Sequence, residues 1–148
     1  MQLRKLTCMD YDSVLELWLS CPEMELNDVD DSREGFERFI LRNPDTCFAA
    51  ADGENLLGVI LSGSDGRRGY IYHAAVAPHA RGQGIGSALV QAVLERMKAL
   101  RISKVGLLIF TDNEKGARFW ERHGFTCRDD LYYFSNVIAP IHRIGKQR

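Results

Sequence analysis

Apolar positions along this chain follow two periods, and each change of period marks an element. Leu3 to Thr7 reads as a short strand. Val14, Leu15, Leu17 and Trp18 then form most of the apolar face of a helix running to Leu19, with Thr7 or Asp10 as its cap and Cys21-Pro22 as its end. Phe36, Phe39 and Ile40 recur at helical spacing behind Ser32, and Asn43-Pro44 stops that second helix. From Thr46 the pattern changes to strands. Cys47 to Ala51 and Asn55 to Leu61 are joined by a tight Asp52-Gly53 turn, and Tyr70 to Val76 follows a turn over residues 64–69. These three strands predict an antiparallel meander. Helical spacing returns with Ile85, Leu89, Val93, Leu94, Met97 and Leu100, which places a helix over Ser87 to Leu100. It crosses back to a strand over Lys104 to Phe110, which implies parallel pairing and a right-handed connection. Asn113 caps a last helix carrying Ala117, Phe119 and Trp120, with Gly124 at C′. Phe125 to Cys127 and Leu131 to Ile138 are expected to close the sheet, and Ile141 to Arg148 is expected to be a mobile basic tail. With no repeat and no linker, the pattern gives one mixed α/β domain over residues 1–148.

Composition narrows the function more than the fold. The chain is 45% hydrophobic and 26% charged, as an ordinary globular domain is, and 148 residues bury a core without disulfides. Lys and Arg total 19 against 20 Asp and Glu, so no basic excess points to nucleic acid. There is no signal-type or membrane-length apolar run, which leads us to expect a cytoplasmic protein without a membrane partner. Cys8, Cys21, Cys47 and Cys127 are scattered, with no C-x-x-C pair and no His at metal spacing. Reduced thiols and no metal are the expectation.

The candidate chemistry lies where the Tyr70–Val76 strand ends. Pro78 closes that strand, and Arg81-Gly-Gln-Gly-Ile-Gly86 leads into a helix starting near Ser87. Glycines let a backbone turn its N–H groups toward one point, where the orphan N–H groups of the helix start and the helix dipole also aim. Such an arrangement attracts phosphate or pyrophosphate. The spacing excludes two common loops: Gly82, Gly84 and Gly86 are not G-x-G-x-x-G, and no Lys-Ser or Lys-Thr follows them. What remains is R-x-x-G-x-G behind a strand-ending Val76. This segment resembles the pyrophosphate loop of the GCN5-related N-acetyltransferase superfamily. Asn113-Glu-Lys-Gly-Ala-Arg-Phe-Trp-Glu-Arg-His-Gly-Phe125 is similar to that superfamily's other signature, and the order of elements matches over nearly the whole chain.

The resemblance implies a single domain whose central mixed, mostly antiparallel sheet splays at an acetyl-CoA site between flanking helices. It implies that backbone groups of Ala74, Ala75 and Val76 pair with pantetheine as an added strand. Arg81, Gly82, Gln83, Gly84, Ile85 and Gly86 would hold the pyrophosphate, with Ser87 at the helix start. Asn113 would contact pantetheine, a role that coexists with a pure N-cap. The partners implied are acetyl-CoA and an amine acceptor, either a small molecule or a peptide N-terminus, with a homodimer allowed. Direct attack on the thioester would be aided by the Val76 N–H as oxyanion donor.

Two departures bear on the catalytic residues. Where the family often has a Tyr able to protonate the leaving thiolate, this chain has Trp120, whose indole donates a hydrogen bond but is no usable acid. Where the family often places a Glu or His base, alternation from Val76 puts Tyr70, Tyr72 and Ala74 on one strand face. Tyr72 is then the nearest substitute acid, and His73 points to the opposite face unless a bulge redirects it. The alternative for both tyrosines is sheet packing, and for His73 a core or surface position. Trp120 also keeps open an acetyl-CoA sensor that has lost the chemistry. Transfer to a protein N-terminal alanine is a weaker alternative. The acidic stretch Glu23, Glu25, Asp28, Asp30 and Asp31 would border the acceptor and favour cations.

Overall fold

A computed structural model of the chain describes residues 1–145. Gln2–Lys5 (β1) leads through a short 3₁₀ turn into helix α1, Tyr11–Leu19. A capping box opens this unit: Asp10 accepts the Thr7 backbone N–H at 2.8 Å while Arg4 grips the same carboxylate from β1 at 2.9 Å. The Arg4 guanidinium and the Thr7 N–H offset the cost of burial and hold the Asp10 carboxyl below its ordinary value. After Leu26–Asn27 (β2), Ser32 caps α2, Arg33–Arg42, by accepting the Gly35 N–H at 3.0 Å. Phe48–Asp52 (β3), Asn55–Ser64 (β4) and Gly69–Val76 (β5) form the expected antiparallel meander. Ile85–Ala99 (α3) then crosses to Val105–Leu107 (β6), which lies parallel to β5. Glu114–Arg122 (α4) follows, and Arg143–Ile144 (β7) is the last element described.

The main sheet runs β1-β3-β4-β5-β6, and β2 pairs with β7 apart from it. Its two faces are covered by different helices. A Cβ on Gly58 would meet Ile85 and Leu89 of α3, whereas one on Gly63 would meet Phe39 and Asn43 beside α2. Between these layers Val14, Trp18 and Phe36 fill one side and Leu89, Val90, Val93 and Met97 the other, each 2% exposed or less. Gly58 and Gly63 therefore mark two points where helix and sheet approach too closely for a side chain.

The expected closure of the sheet does not form. Residues 126–142 contain no strand, and β6 is only three residues long where a strand over Lys104 to Phe110 was expected. Tyr132 is 91% exposed and Phe134 88%. Apolar β-formers mark a strand in sequence, but a strand also needs a partner edge, and here that partner is not reached. The tail is corrected in the other direction. Arg143–Ile144 pair with Leu26–Asn27, so this part is held against the body and not loose; residues 146–148 lie outside the described residues.

Candidate active site

A single extra residue in β5 determines which side chains can meet. Residues opposite one another in an antiparallel pair share a face. Gly58 lies opposite Val76 and Ile60 opposite Ala74, so Val76 and Ala74 face α3. Gly63 lies opposite Tyr70, which puts Tyr70 on the α1/α2 side. Between them the register slips: Leu61 pairs with His73 and Ser62 with Ile71, leaving Tyr72 as a bulge. His73 thereby joins Tyr70 and Tyr72 on the α1/α2 face, against Trp18 at 4.9 Å, while Tyr72 packs on Phe39 at 5.4 Å. Strict alternation had grouped Tyr70 and Tyr72 with Ala74 and Val76 and sent His73 away. The bulge reverses both assignments.

The same bulge sits where the sheet opens. Pairing between β5 and β6 ends at Ile71 opposite Leu107, whereas β5 stays paired with β4 as far as Val76. The far half of β5 therefore borders a cleft instead of a strand. Ala77 donates its N–H to Leu57 of β4 at 2.8 Å, so one residue earlier the Val76 N–H and C=O point the other way, away from β4, and those of Ala74, which lines the cleft, do likewise. Ala75, expected beside them, turns its backbone to β4 and is 5% exposed. The cleft holds about 710 Å³, and Tyr72, His73, Asn113 and Trp120 are among its walls.

At the end of β5 the glycine loop has the predicted character. Gly82 and Gly84 have φ of +77° and +81°, and a Cβ on either would point into open space. Gly84 is the N-cap of α3, so the free N–H groups of Ile85, Gly86 and Ser87 follow directly. Gly86 differs, for its Cβ would meet Phe119 of α4 at 3.2 Å. The side chain of Ile85 is buried, which leaves only its backbone for a ligand. Arg81 is committed elsewhere: its guanidinium binds Glu23 at 2.5 Å and the Val76 carbonyl at 3.1 Å, tying the acidic stretch to the strand end. Ser87 meets His123 at 2.9 Å; because His123 Nδ1 must donate to the Phe119 carbonyl at 2.7 Å, the neutral ring accepts the Ser87 hydroxyl at Nε2. Gln83 is exposed on the loop. Asn113 caps α4 by accepting the Gly116 N–H at 2.9 Å while lining the cleft.

Asp31 was placed by the sequence only within the acidic stretch; its pairing with His73 is what sequence reasoning missed. It is 3% exposed, and its carboxylate accepts His73 Nε2 at 2.8 Å and the Asn27 backbone N–H at 2.8 Å. Its own carbonyl accepts the Tyr11 hydroxyl at 2.7 Å. Since a carboxylate only accepts, Nε2 carries the proton, and the neutral ring keeps its lone pair at Nδ1. The other acids of the stretch are paired as well: Glu23 with Arg81, Glu25 with Arg143 and Asp28 with His142, while Asp30 accepts the Asn27 amide. This stretch is therefore braced by its own partners. Burial raises the Tyr72 hydroxyl above its ordinary value, with Tyr133, Asp30 and Asp65 adding to it. Burial also pushes Tyr70 up to about 12. Trp120, 9% exposed, packs edge-on against Phe119 and Phe125 at the base of the cleft.

Residues 11–125, which hold the sheet opening and the glycine loop, match the model of the acetyltransferase (GNAT) family. The chain belongs to the acetyltransferase (GNAT) family. Acetyl transfer is its activity in general terms. An acetyltransferase of Photorhabdus laumondii is 32% identical over 77% of this chain and 78% of its own length. Another, from Sodalis glossinidius, is 28% identical over 88% and 91%. Among solved structures, the PaiA N-acetyltransferase of Thermoplasma acidophilum in complex with coenzyme A superposes with a TM-score of 0.79 at 18% identity, over 88% of this chain and 92% of that one. An aminoglycoside acetyltransferase from a soil metagenomic sample gives 0.73 at 20% identity, over 93% and 96%. These two likenesses show the GNAT fold. Among the described residues, no helix is long and apolar enough to cross a membrane.

Proposed function

We propose that this GNAT protein transfers the acetyl group of acetyl-CoA to a primary amine, with His73, held by Asp31, as the general base. The observation that carries the reading is the Asp31–His73 pair at 2.8 Å, on the bulge that opens the cleft. The cosubstrate fits these residues on one test: at Gly82 and Gly84 the space that a Cβ would occupy is empty, so backbone N–H groups are free to approach a pyrophosphate. Loop residues 81–86 and Ser87 would hold that group by their backbone. Ala74 and Val76 would pair with the pantetheine arm along the open edge of β5, with Asn113 opposite. The Val76 N–H would donate to the carbonyl oxygen as charge develops on it.

The amine attacks the carbonyl carbon, a C–N bond forms, the C–S bond breaks, and the thiolate leaves. The proton lost by nitrogen passes to His73 Nδ1, while Asp31 stabilises the imidazolium through Nε2. An α-ammonium near pKa 8 gives up its proton more readily than a lysine near 10.4, so an amine of low pKa, such as a peptide N-terminus, is the favoured acceptor class. Trp120 forms an apolar wall, and water protonates the thiolate, which is stable enough to leave unaided. The pair also argues against a sensor without chemistry, since cofactor binding alone has no use for it. Thiol release from acetyl-CoA over a panel of amines tests the reading: amine-dependent release is expected, abolished or reduced at least a hundredfold in His73→Gln. Calorimetric binding of acetyl-CoA without release in the wild type would favour the sensor.

A further inference from the structure

Helix α4 backs the glycine loop one turn at a time. A Cβ on Gly86 would meet the Phe119 ring at 3.2 Å, and one turn later His123 Nε2 meets the Ser87 hydroxyl at 2.9 Å. The Phe119 and His123 rings also touch, with centroids 4.3 Å apart. Ser87 is the third residue of α3 after its Gly84 cap, so its N–H is among those the helix leaves free, and its side chain is exposed beside them.

In the free protein that hydroxyl has the wrong polarity for an anion. His123 Nδ1 is committed as a donor to the Phe119 carbonyl at 2.7 Å, so the neutral ring offers only a lone pair at Nε2. Ser87 spends its one proton on that lone pair and keeps only lone pairs of its own for anything else. A phosphate oxygen also only accepts, so the two repel. A proton added at Nε2 reverses the bond: the imidazolium donates to Ser87 Oγ, and the hydroxyl proton turns to the phosphate. Two helix ends act on that proton in opposite senses. His123 is the C-cap of α4, whose dipole favours a cation, while the N-terminus of α3 disfavours one. An anion on the first turn of α3 cancels the second effect and leaves the first. The charged side chains around the ring set the starting point and not this change. On α3 there is none before Glu95, and in the loop Arg81 is held by Glu23. On α4, Arg118, Glu121 and Arg122 stand about 100° or more round the helix from His123. Across the groove that His123 also borders lie Lys98, Arg101, Lys104 and Arg128, the last paired with Asp130. On the reading of the loop as a pyrophosphate site, we propose that His123 takes a proton from solvent when acetyl-CoA binds and so becomes, through Ser87, a positioning residue for the pyrophosphate. Acetyl-CoA affinity then falls as pH rises, by up to about tenfold per pH unit for one whole proton.

Calorimetric titration with acetyl-CoA in PIPES and in Tris counts the protons taken up, because the two buffers release different heats. The 3′-phosphate and the other histidines titrate too, and subtracting the result for His123→Gln removes them; a carboxamide still bonds Ser87 but holds no extra proton. At about pH 7.5 the wild type should take up at least about 0.3 proton more than this variant. Between about pH 6.5 and 8.5 its affinity should fall at least about fivefold more. ¹⁵N spectra of the wild-type ring test the same step should the variant misfold: a neutral Nδ1–H tautomer is expected in the free protein, and two protonated nitrogens in the complex. Ser87→Ala should lose at least half of the extra uptake. Equal uptake in wild type and His123→Gln, a ring still neutral in the complex, or full uptake in Ser87→Ala would each overturn the proposal and leave the loop as the pyrophosphate site. Acetyl-CoA that does not bind at all would overturn both.

Discussion

Asp31→Asn removes one acceptor from the centre of the site while preserving its shape, and its effect can be followed atom by atom. The carboxylate serves two donors, His73 Nε2 and the Asn27 backbone N–H, each at 2.8 Å. A carboxamide has one acceptor oxygen and an NH₂ group. The Asn27 N–H cannot become an acceptor, so the amide oxygen stays with it and the NH₂ turns toward His73. The imidazole must then accept at Nε2 and carry its proton at Nδ1, the atom that would receive the proton of the amine. General-base assistance is worth about 10²–10⁴-fold, so kcat should fall by that order while acetyl-CoA affinity holds. Exchanging a charge-assisted bond of about 1.5–3 kcal/mol for a neutral one of about 0.5–1.5 costs about 1–2 kcal/mol of stability. For a chain of this size that lowers Tm by about 2–8 °C, leaving the variant folded at 25 °C. Thiol release at saturating acetyl-CoA gives kcat, and ¹⁵N spectra of the imidazole report its tautomer. A folded Asp31→Asn variant with kcat within threefold of the wild type would refute the base assignment, most directly if the spectra show the tautomer switched.

Gly84→Val places a branched side chain at φ +81° in the space reserved for pyrophosphate; acetyl-CoA affinity should fall at least tenfold in a protein still folded by circular dichroism, and unchanged calorimetric affinity would remove the loop from the site. Trp120→Phe should cost less than tenfold in kcat, through packing alone, whereas a collapse with binding intact would give the indole N–H a positioning role. Tyr72→Phe should likewise leave kcat within about fivefold, since burial raises its hydroxyl and makes it a poorer acid; a large loss would transfer the proton-donor role to Tyr72. Tyr70 has its hydroxyl pushed from 10.0 to about 12 in the folded chain, so its contribution to stability is fully present below pH 10 and is lost as pH rises toward 12. Chemical denaturation across that window should show a shallower alkaline loss in Tyr70→Phe, and identical profiles would contradict the shift.

Local chemistry determined much of this protein from the sequence alone. Ser32, Asn113 and Gly124 sit where helix-end preferences place them, because a cap depends on only a few neighbouring residues. The glycine loop was legible for the same reason: Gly82 and Gly84 are needed for their own backbone angles, whatever lies elsewhere in the chain. The crossover from β5 through α3 to β6 followed from period and length. Contacts between distant residues belong to the tertiary structure. Period-2 alternation cannot anticipate the bulge at Tyr72, which depends on how β5 registers against β4, and that one residue moves His73 to the face of Trp18. Asp31 stands 42 positions from His73, and in sequence nothing separates it from the four neighbouring acids; only its burial and its contacts with Tyr11 and His73 set it apart. Leu131 to Ile138 reads as a strand because its residues favour one, yet pairing requires a partner edge, and in the fold this segment pairs with none.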